Sequence, residues 1–164
     1  MSEPIISVSG LRGIVGTELT PLVAVKYIAA FCSQLPRGNV VLSRDGRGSG
    51  AMLAAAVSST LQAHGFDVLD AGICATPTVG VLVREEQAVG AIQISASHNP
   101  PQYNGIKLFN REGRVIPAAE GERVRDAYRQ GVVGWRDVNG LGSSSKIVDP
   151  HAAHEQLVLK TIDP

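Results

Sequence analysis

Between Ser95 and Gly105 the chain reads Ser-Ala-Ser-His-Asn-Pro-Pro-Gln-Tyr-Asn-Gly, setting the Ser97 hydroxyl, the His98 imidazole and the Asn99 amide beside two prolines. Proline fixes φ and strips the backbone of freedom, so this loop presents Ser97 at a defined place, as positional catalysis requires. An ordinary polar loop with proline punctuation has the same composition, and composition alone favours that plainer account. Ser97 and His98 are adjacent, so their side chains are expected to diverge, against a protease-like Ser-His dyad. Neither a GxSxG elbow nor a GxxxxGK(S/T) phosphate loop occurs. What remains is cationic: Lys107 beyond the serine, Arg12 in a glycine-rich segment, and Arg44 and Arg47 in the run Ser43-Arg-Asp-Gly-Arg47. A serine facing several fixed cations suits phosphoryl chemistry, where charge on the transferring group has to be stabilised.

Other candidates carry plainer accounts. The segment Ser9-Gly-Leu-Arg-Gly-Ile-Val-Gly16 has glycines at three-residue steps and invites a dinucleotide-binding loop, but its spacing is GxxGxxG. The helix after it begins well beyond Gly16, so a pyrophosphate would miss the helix N-terminus. His151 and His154 stand one turn apart without an HExxH or a third ligand, and read as surface residues. His64 reads as a cation at a helix C-terminus. The run Arg123 to Arg129 reads as a solvated face. Cys32 and Cys74 lie in apolar segments with no CxxC, so both read as small buried hydrophobes.

The elements that must position these groups alternate between strands and helices. Strands are expected at Ile5–Val8, Val40–Leu42, Phe66–Leu69 and Val89–Ser95. Helices are expected over 20–36, 50–64, from Thr76-Pro77 onward, 117–129 and from Asp149-Pro150 onward. Thr20-Pro21 and Thr76-Pro77 look like helix openings, and Gly65 like a helix stop. Ile106–Phe109, the turn Asn110–Gly113 and Arg114–Ile116 read as a hairpin, and Gly140–Ser145 as a linker. This rhythm predicts a three-layer α/β/α fold with a mostly parallel mixed sheet and one antiparallel strand. The 164 residues make one domain at about 150 per domain. The 15 Lys+Arg balance 15 Asp+Glu, which removes the basic excess that nucleic acid or an anionic membrane would need. With no secretory signal and no membrane-length apolar run, the chain reads as a soluble cytoplasmic domain.

The serine loop, with Tyr103-Asn-Gly-Ile-Lys107 after it, resembles the phosphoserine loop of the α-D-phosphohexomutases. These are the phosphoglucomutases, phosphomannomutases and phosphoglucosamine mutases. Three more segments agree in order: Ser9-Gly-Leu-Arg-Gly13 with the family's Gly-x-x-Gly-x-Arg-Gly, Ser43–Ser49 with its GRDxRxS, and Gly72–Thr78 with its G-x-x-x-T-P-T. The resemblance implies that Ser97 carries the phosphoryl group, donates it to a hexose monophosphate and recovers one from the bisphosphate. It also implies that Arg12 and Lys107 supply charge and proton transfer, and that His98 and Asn99 hold phosphate or substrate. A phosphoserine oxygen would bind Mg²⁺, whose other ligands in the family are aspartates of a DxDxDR loop in the second domain.

No DxDxDR occurs here. Family members have four domains, so residues 1–164 are expected to be the first domain of a longer mutase, with 140–164 leading to the next. The expected partners are a phosphorylated hexose and the remaining domains of the same enzyme, and the chain alone is expected to be inactive. A free-standing binding or regulatory module of the same fold is the alternative, against which stands the intact set Arg12, Ser97 and Lys107. The Pro101-Gln102-Tyr103 stretch leans slightly towards the phosphomannomutase/phosphoglucomutase branch, and archaeal-type glucosamine mutases look similar there, so the preferred hexose stays open.

Overall fold

The computed structural model describes residues 3–162. In chain order the elements are β1 (Ile5–Ser7), β2 (Gly10–Ile14), α1 (Pro21–Cys32), β3 (Asn39–Arg44), α2 (Gly50–Ala63), β4 (Asp67–Ile73), α3 (Thr76–Glu85), β5 (Gly90–Ile94), β6 (Tyr103–Asn110), α4 (Ala118–Gln130), β7 (Ser144–Lys146) and α5 (Ala152–Ile162). The strands form one seven-stranded sheet in the order β1-β2-β6-β5-β3-β4-β7. Side chains alternate across a strand, and the core follows that period. Val40 and Leu42 of β3, Ile92 and Ile94 of β5, and Ile106 and Leu108 of β6 enter one cluster with α1, α2 and α4. Val41, Ala91 and Phe109 enter a second cluster with α3. A sheet buried on both faces between helices is the predicted three-layer α/β/α architecture.

Local signals explain several boundaries. Thr20 Oγ1 accepts from the Val23 N–H at 3.3 Å, and Pro21 occupies the first turn of α1. Gly65 has φ +83° just after α2, as the stop signal predicts. Asp149 Oδ1 accepts from the N–H groups of His151 and Ala152, both at 3.2 Å, ahead of α5. Cys32 and Cys74 are buried in separate clusters, and burial pushes the Cys32 thiol up to about 12.

Five details differ from the sequence reading. The glycine segment after the first strand is itself strand β2, antiparallel to both β1 and β6. Its glycines serve close approach: a Cβ at Gly10 would overlap the Ile106 carbonyl. β6 runs against β5 as expected, and β1 is a second strand that runs against the rest. The hairpin keeps its turn, with the Gly113 N–H donating to the Asn110 carbonyl at 3.0 Å, but its returning strand shrinks to the bridge Phe109–Val115. Thr76 lies inside α3, whose N-cap is Ala75. The expected linker contributes β7, parallel to β4, because backbone bonds between Val68 N–H and the Ser143 carbonyl (2.8 Å) and Ile147 N–H and the Asp70 carbonyl (2.9 Å) complete the sheet edge.

Candidate active site

β5 ends at Ile94 and delivers the serine loop to the sheet edge. Ser97 has φ +56° and is exposed. A left-handed conformation costs a non-glycine residue about 1–2 kcal/mol, so it persists only where neighbours impose it. Here the Ser97 N–H donates to the buried Ser95 hydroxyl at 3.0 Å, and the Ser97 carbonyl accepts from Arg47 Nη2 at 2.9 Å. Hydrogen bonds to charged groups contribute about 1.5–3 kcal/mol each, enough to offset the strain. The same geometry brings Ser97 Oγ to 3.4 Å from His98 Nδ1, correcting the expectation that these neighbours diverge. The Asn99 amide nitrogen donates to the Ala96 carbonyl at 2.7 Å, leaving its second N–H and its carbonyl oxygen for a ligand.

The two cations arrive from neighbouring strands. Lys107 pairs with Gln93 on one side and Gly10 on the other, and Arg12 pairs with Gly105. Leu11, Ile106 and Leu108 enter the first cluster, so alternation turns Arg12 and Lys107 to the opposite face together. A cavity of about 330 Å³ results, and Arg12, Ser97, His98, Asn99 and Lys107 all line it. No Asp or Glu lines it, and among the described residues neither Arg12 nor Lys107 is ion-paired. An uncompensated positive cleft beside a hydroxyl is suited to an anionic phosphate.

The other expected cations go elsewhere. Arg44 lines a larger cavity of about 610 Å³ beside α2 and the β4–β7 edge, with Asp70 and Lys146. Arg47 turns its guanidinium into the carbonyls of the serine loop and does not line the serine cavity. The sequence missed this role, and missed Asn104 as well. Asn104 is fully buried, donating to the Ser49 hydroxyl at 2.9 Å and accepting from the Gly105 N–H at 2.8 Å. The available signal was the run Asp45-Gly46-Arg47, where Asp45 Oδ1 accepts from the Arg47 N–H at 3.1 Å and Oδ2 from Arg47 Nε at 3.2 Å.

Three secondary readings also change. Gly10 and Gly13 lie within β2 and only Gly16 falls in the connection to α1, so the three glycines do not form one strand-to-helix loop that could cradle a pyrophosphate. His154 ties α5 to α3 through a 2.9 Å hydrogen bond between Nδ1 and the Thr78 hydroxyl, and no group of three His, Cys, Asp or Glu that could hold a metal occurs among the described residues. His64 is buried and neutral in its bonding: Nδ1–H donates to the Thr60 carbonyl at 2.8 Å while Nε2 accepts from the Gly134 N–H at 3.3 Å. Burial lowers its pKa, so it is not the cation at a helix end that its position implied.

Fold and cavity together define an α/β/α domain whose sheet edge presents a strained serine loop to two unpaired cations. Residues 4–132 match the family model described as phosphoglucomutase/phosphomannomutase, alpha/beta/alpha domain I. The chain therefore belongs to the phosphoglucomutase/phosphomannomutase family, as the resemblance implied. A phosphoglucosamine mutase of Parasynechococcus marenigrum is 41% identical over 130 residues, covering 78% of this chain and 28% of that protein. A phosphoglucosamine mutase of a Thermoanaerobacter species is 34% identical over 159 residues, covering 94% of this chain and 36% of that protein. A phosphoglucomutase/phosphomannomutase family protein from Burkholderia thailandensis superposes with a TM-score of 0.81 at 27% identity, over 95% of this chain and 35% of that one. The chain thus spans about a third of the length of these relatives. The names of these curated relatives do not follow the branch that Pro101-Gln102-Tyr103 leaned towards.

Proposed function

We propose that this chain is the phosphoserine-bearing first domain of a phosphohexomutase, which interconverts hexose or hexosamine 1- and 6-phosphates. Ser97 Oγ carries the phosphoryl group. A sugar hydroxyl oxygen attacks the phosphorus, the bond from phosphorus to Ser97 Oγ breaks, and the hydroxyl proton passes to the departing serine oxygen. The bisphosphorylated sugar then turns and returns its other phosphoryl group to Ser97 by the reverse step. Arg12 and Lys107 stabilise charge on the moving group. His98, 3.4 Å from Oγ, and Lys107 are the groups placed to carry the proton. Asn99 contacts the phosphate with the N–H that the loop leaves over.

A magnesium ion is implied by the family, and this domain alone does not fit one. Mg²⁺ takes oxygen ligands and is held by carboxylates together with phosphate, and no carboxylate lines the serine cavity. A phosphate on Ser97 would supply one kind of ligand, and the rest would come from outside these residues. No step above runs through the ion.

The observation that supports this reading best is the convergence of all five residues, from two strands and the loop after β5, on one acid-free cavity. Incubation with a hexose 1,6-bisphosphate, supplied as its magnesium salt, tests it. Intact-mass analysis is expected to show one added phosphoryl group, mapped to Ser97 by fragmentation, and none in Ser97→Ala. Uptake that survives Ser97→Ala, or maps to another residue, would sink the assignment.

A further inference from the structure

The Arg47 guanidinium has five N–H donors, and the structure uses all of them. Nε donates to Asp45 Oδ2 at 3.2 Å. Nη1 donates to the carbonyls of Pro100 at 2.9 Å and Tyr103 at 3.0 Å. Nη2 donates to the carbonyls of Ser97 at 2.9 Å and Asn99 at 2.7 Å. Four carbonyls from one loop thus converge on one planar cation, which is itself held by a carboxylate and mostly shielded from water. Converging carbonyl dipoles repel one another, and a positive group at their focus offsets that repulsion with charge-assisted hydrogen bonds. The loop's other bonds are few and peripheral to its centre: the turns Asn99 N–H to the Ala96 carbonyl and Tyr103 N–H to the Pro100 carbonyl, the Ser97 N–H to the Ser95 hydroxyl, the Asn99 side-chain amide to the Ala96 carbonyl, and the Val15 N–H to the Gln102 carbonyl.

We infer that Arg47 is a positioning residue, a clamp that holds the loop from Ser97 to Tyr103 in its left-handed conformation at Ser97 and so aims Oγ into the cavity. Its consequence for phosphoryl transfer rests on the phosphoserine reading; its consequence for loop order does not. Lysine keeps the charge but lacks the planar fork, and one ammonium cannot reach four divergent carbonyls and the carboxylate.

Two measurements on wild type and Arg47→Lys decide it. Peptide-resolved hydrogen exchange is expected to rise at least about tenfold over residues 97–103 while β3 and β5 keep their protection. Unchanged loop exchange, or a rise shared equally by the core strands, overturns the clamp. If Arg47→Lys does not fold, Asp45→Asn is substituted; it frees the guanidinium from its anchor and is expected to raise loop exchange less, in the same peptides. In the second measurement the maximum rate of phosphoryl uptake from hexose 1,6-bisphosphate falls at least about tenfold, with the half-saturating donor concentration changed less than about twofold. An equal rate in the variant overturns the inference and leaves the phosphoserine reading standing. Absence of uptake in wild type counts against that reading, while the exchange comparison still decides the clamp.

Discussion

Lys107 faces the cavity from the centre of β6 and makes no ion pair among the described residues, so its charge is available to a ligand. Lys107→Met keeps the aliphatic stem and removes the charge. It is expected to slow phosphoryl uptake by about 10²-fold or more, while the urea midpoint moves little. An unchanged rate would remove Lys107 from the reaction. His64 sets a different dependence. Its folded pKa lies below the ordinary 6.5, mainly through burial. The unfolded chain therefore binds the proton first as pH falls, and the stability carried by neutral His64 is complete above 6.5 and lost as pH descends towards the folded value. Urea midpoints are expected to drop as pH falls below about 6.5, and the drop to shrink in His64→Gln. An equal drop in both proteins would place the acid sensitivity elsewhere. The candidate site was legible to the extent that the structure gathers Ser97, Arg12 and Lys107, singled out by residue type, round one cavity. It was illegible where chemistry depended on direction: nothing in the spacing of Arg44 and Arg47 says that one enters a different cavity and the other turns into loop carbonyls.

Elements buried on both faces were legible for the same reason that they are stable. Val40-Val41-Leu42 is apolar throughout, and Val89–Ser95 is apolar but for Gln93 and Ser95, because helices cover both sides of them, and the structure has strands at both. The misread pieces lie towards the two ends of the sheet, away from its doubly covered centre, β2 as the second strand from one end and β7 as the edge strand at the other, where little apolar pattern is needed. β2 carries two glycines and β7 is Ser-Ser-Lys with every residue exposed. β7 is held instead by bonds that composition hides. Asp67 Oδ1 accepts from both the Ser143 N–H (2.8 Å) and the Ser143 hydroxyl (2.7 Å), which lowers the Asp67 pKa. The Gly142 N–H donates to the Gln62 carbonyl at 2.9 Å, and a Cβ there would overlap the Phe66 carbonyl. Gly142→Ala is therefore expected to destabilise the domain by about 1–3 kcal/mol and to loosen amide protection along β7. Phosphoryl uptake at Ser97 should be retained, because the serine cavity is lined by β1, β2, β6 and the loop after β5, with no residue of β4 or β7. A denaturation midpoint equal to wild type would show that β7 adds nothing.

At the scale of the molecule, the chemistry at Ser97 and the turnover of a sugar ask for different amounts of protein. In the proposed reaction, one phosphoryl transfer uses Ser97, Arg12, Lys107 and a bisphosphorylated donor supplied with its metal. Repeated turnover also requires the sugar to stay bound while its two ends exchange places, and that needs walls around the whole ligand. The serine cavity, at about 330 Å³, opens on the domain surface, with Ser97, His98 and Arg12 all exposed. α5 has no buried residue, and it leaves Leu157, Val158, Leu159 and Ile162 exposed on a helix tied to α3 through His154. With relatives about three times as long, we take both surfaces to be completed by further domains, which would also supply the carboxylates for Mg²⁺. The chain alone is then expected to bind Mg²⁺ with Kd above roughly 1 mM by calorimetry, to take up one phosphoryl group, and to convert no measurable hexose 1-phosphate into 6-phosphate in a coupled assay. Product accumulating well beyond one equivalent of chain would mean that this domain holds and turns the sugar unaided, and the incomplete-enzyme reading would have to be given up.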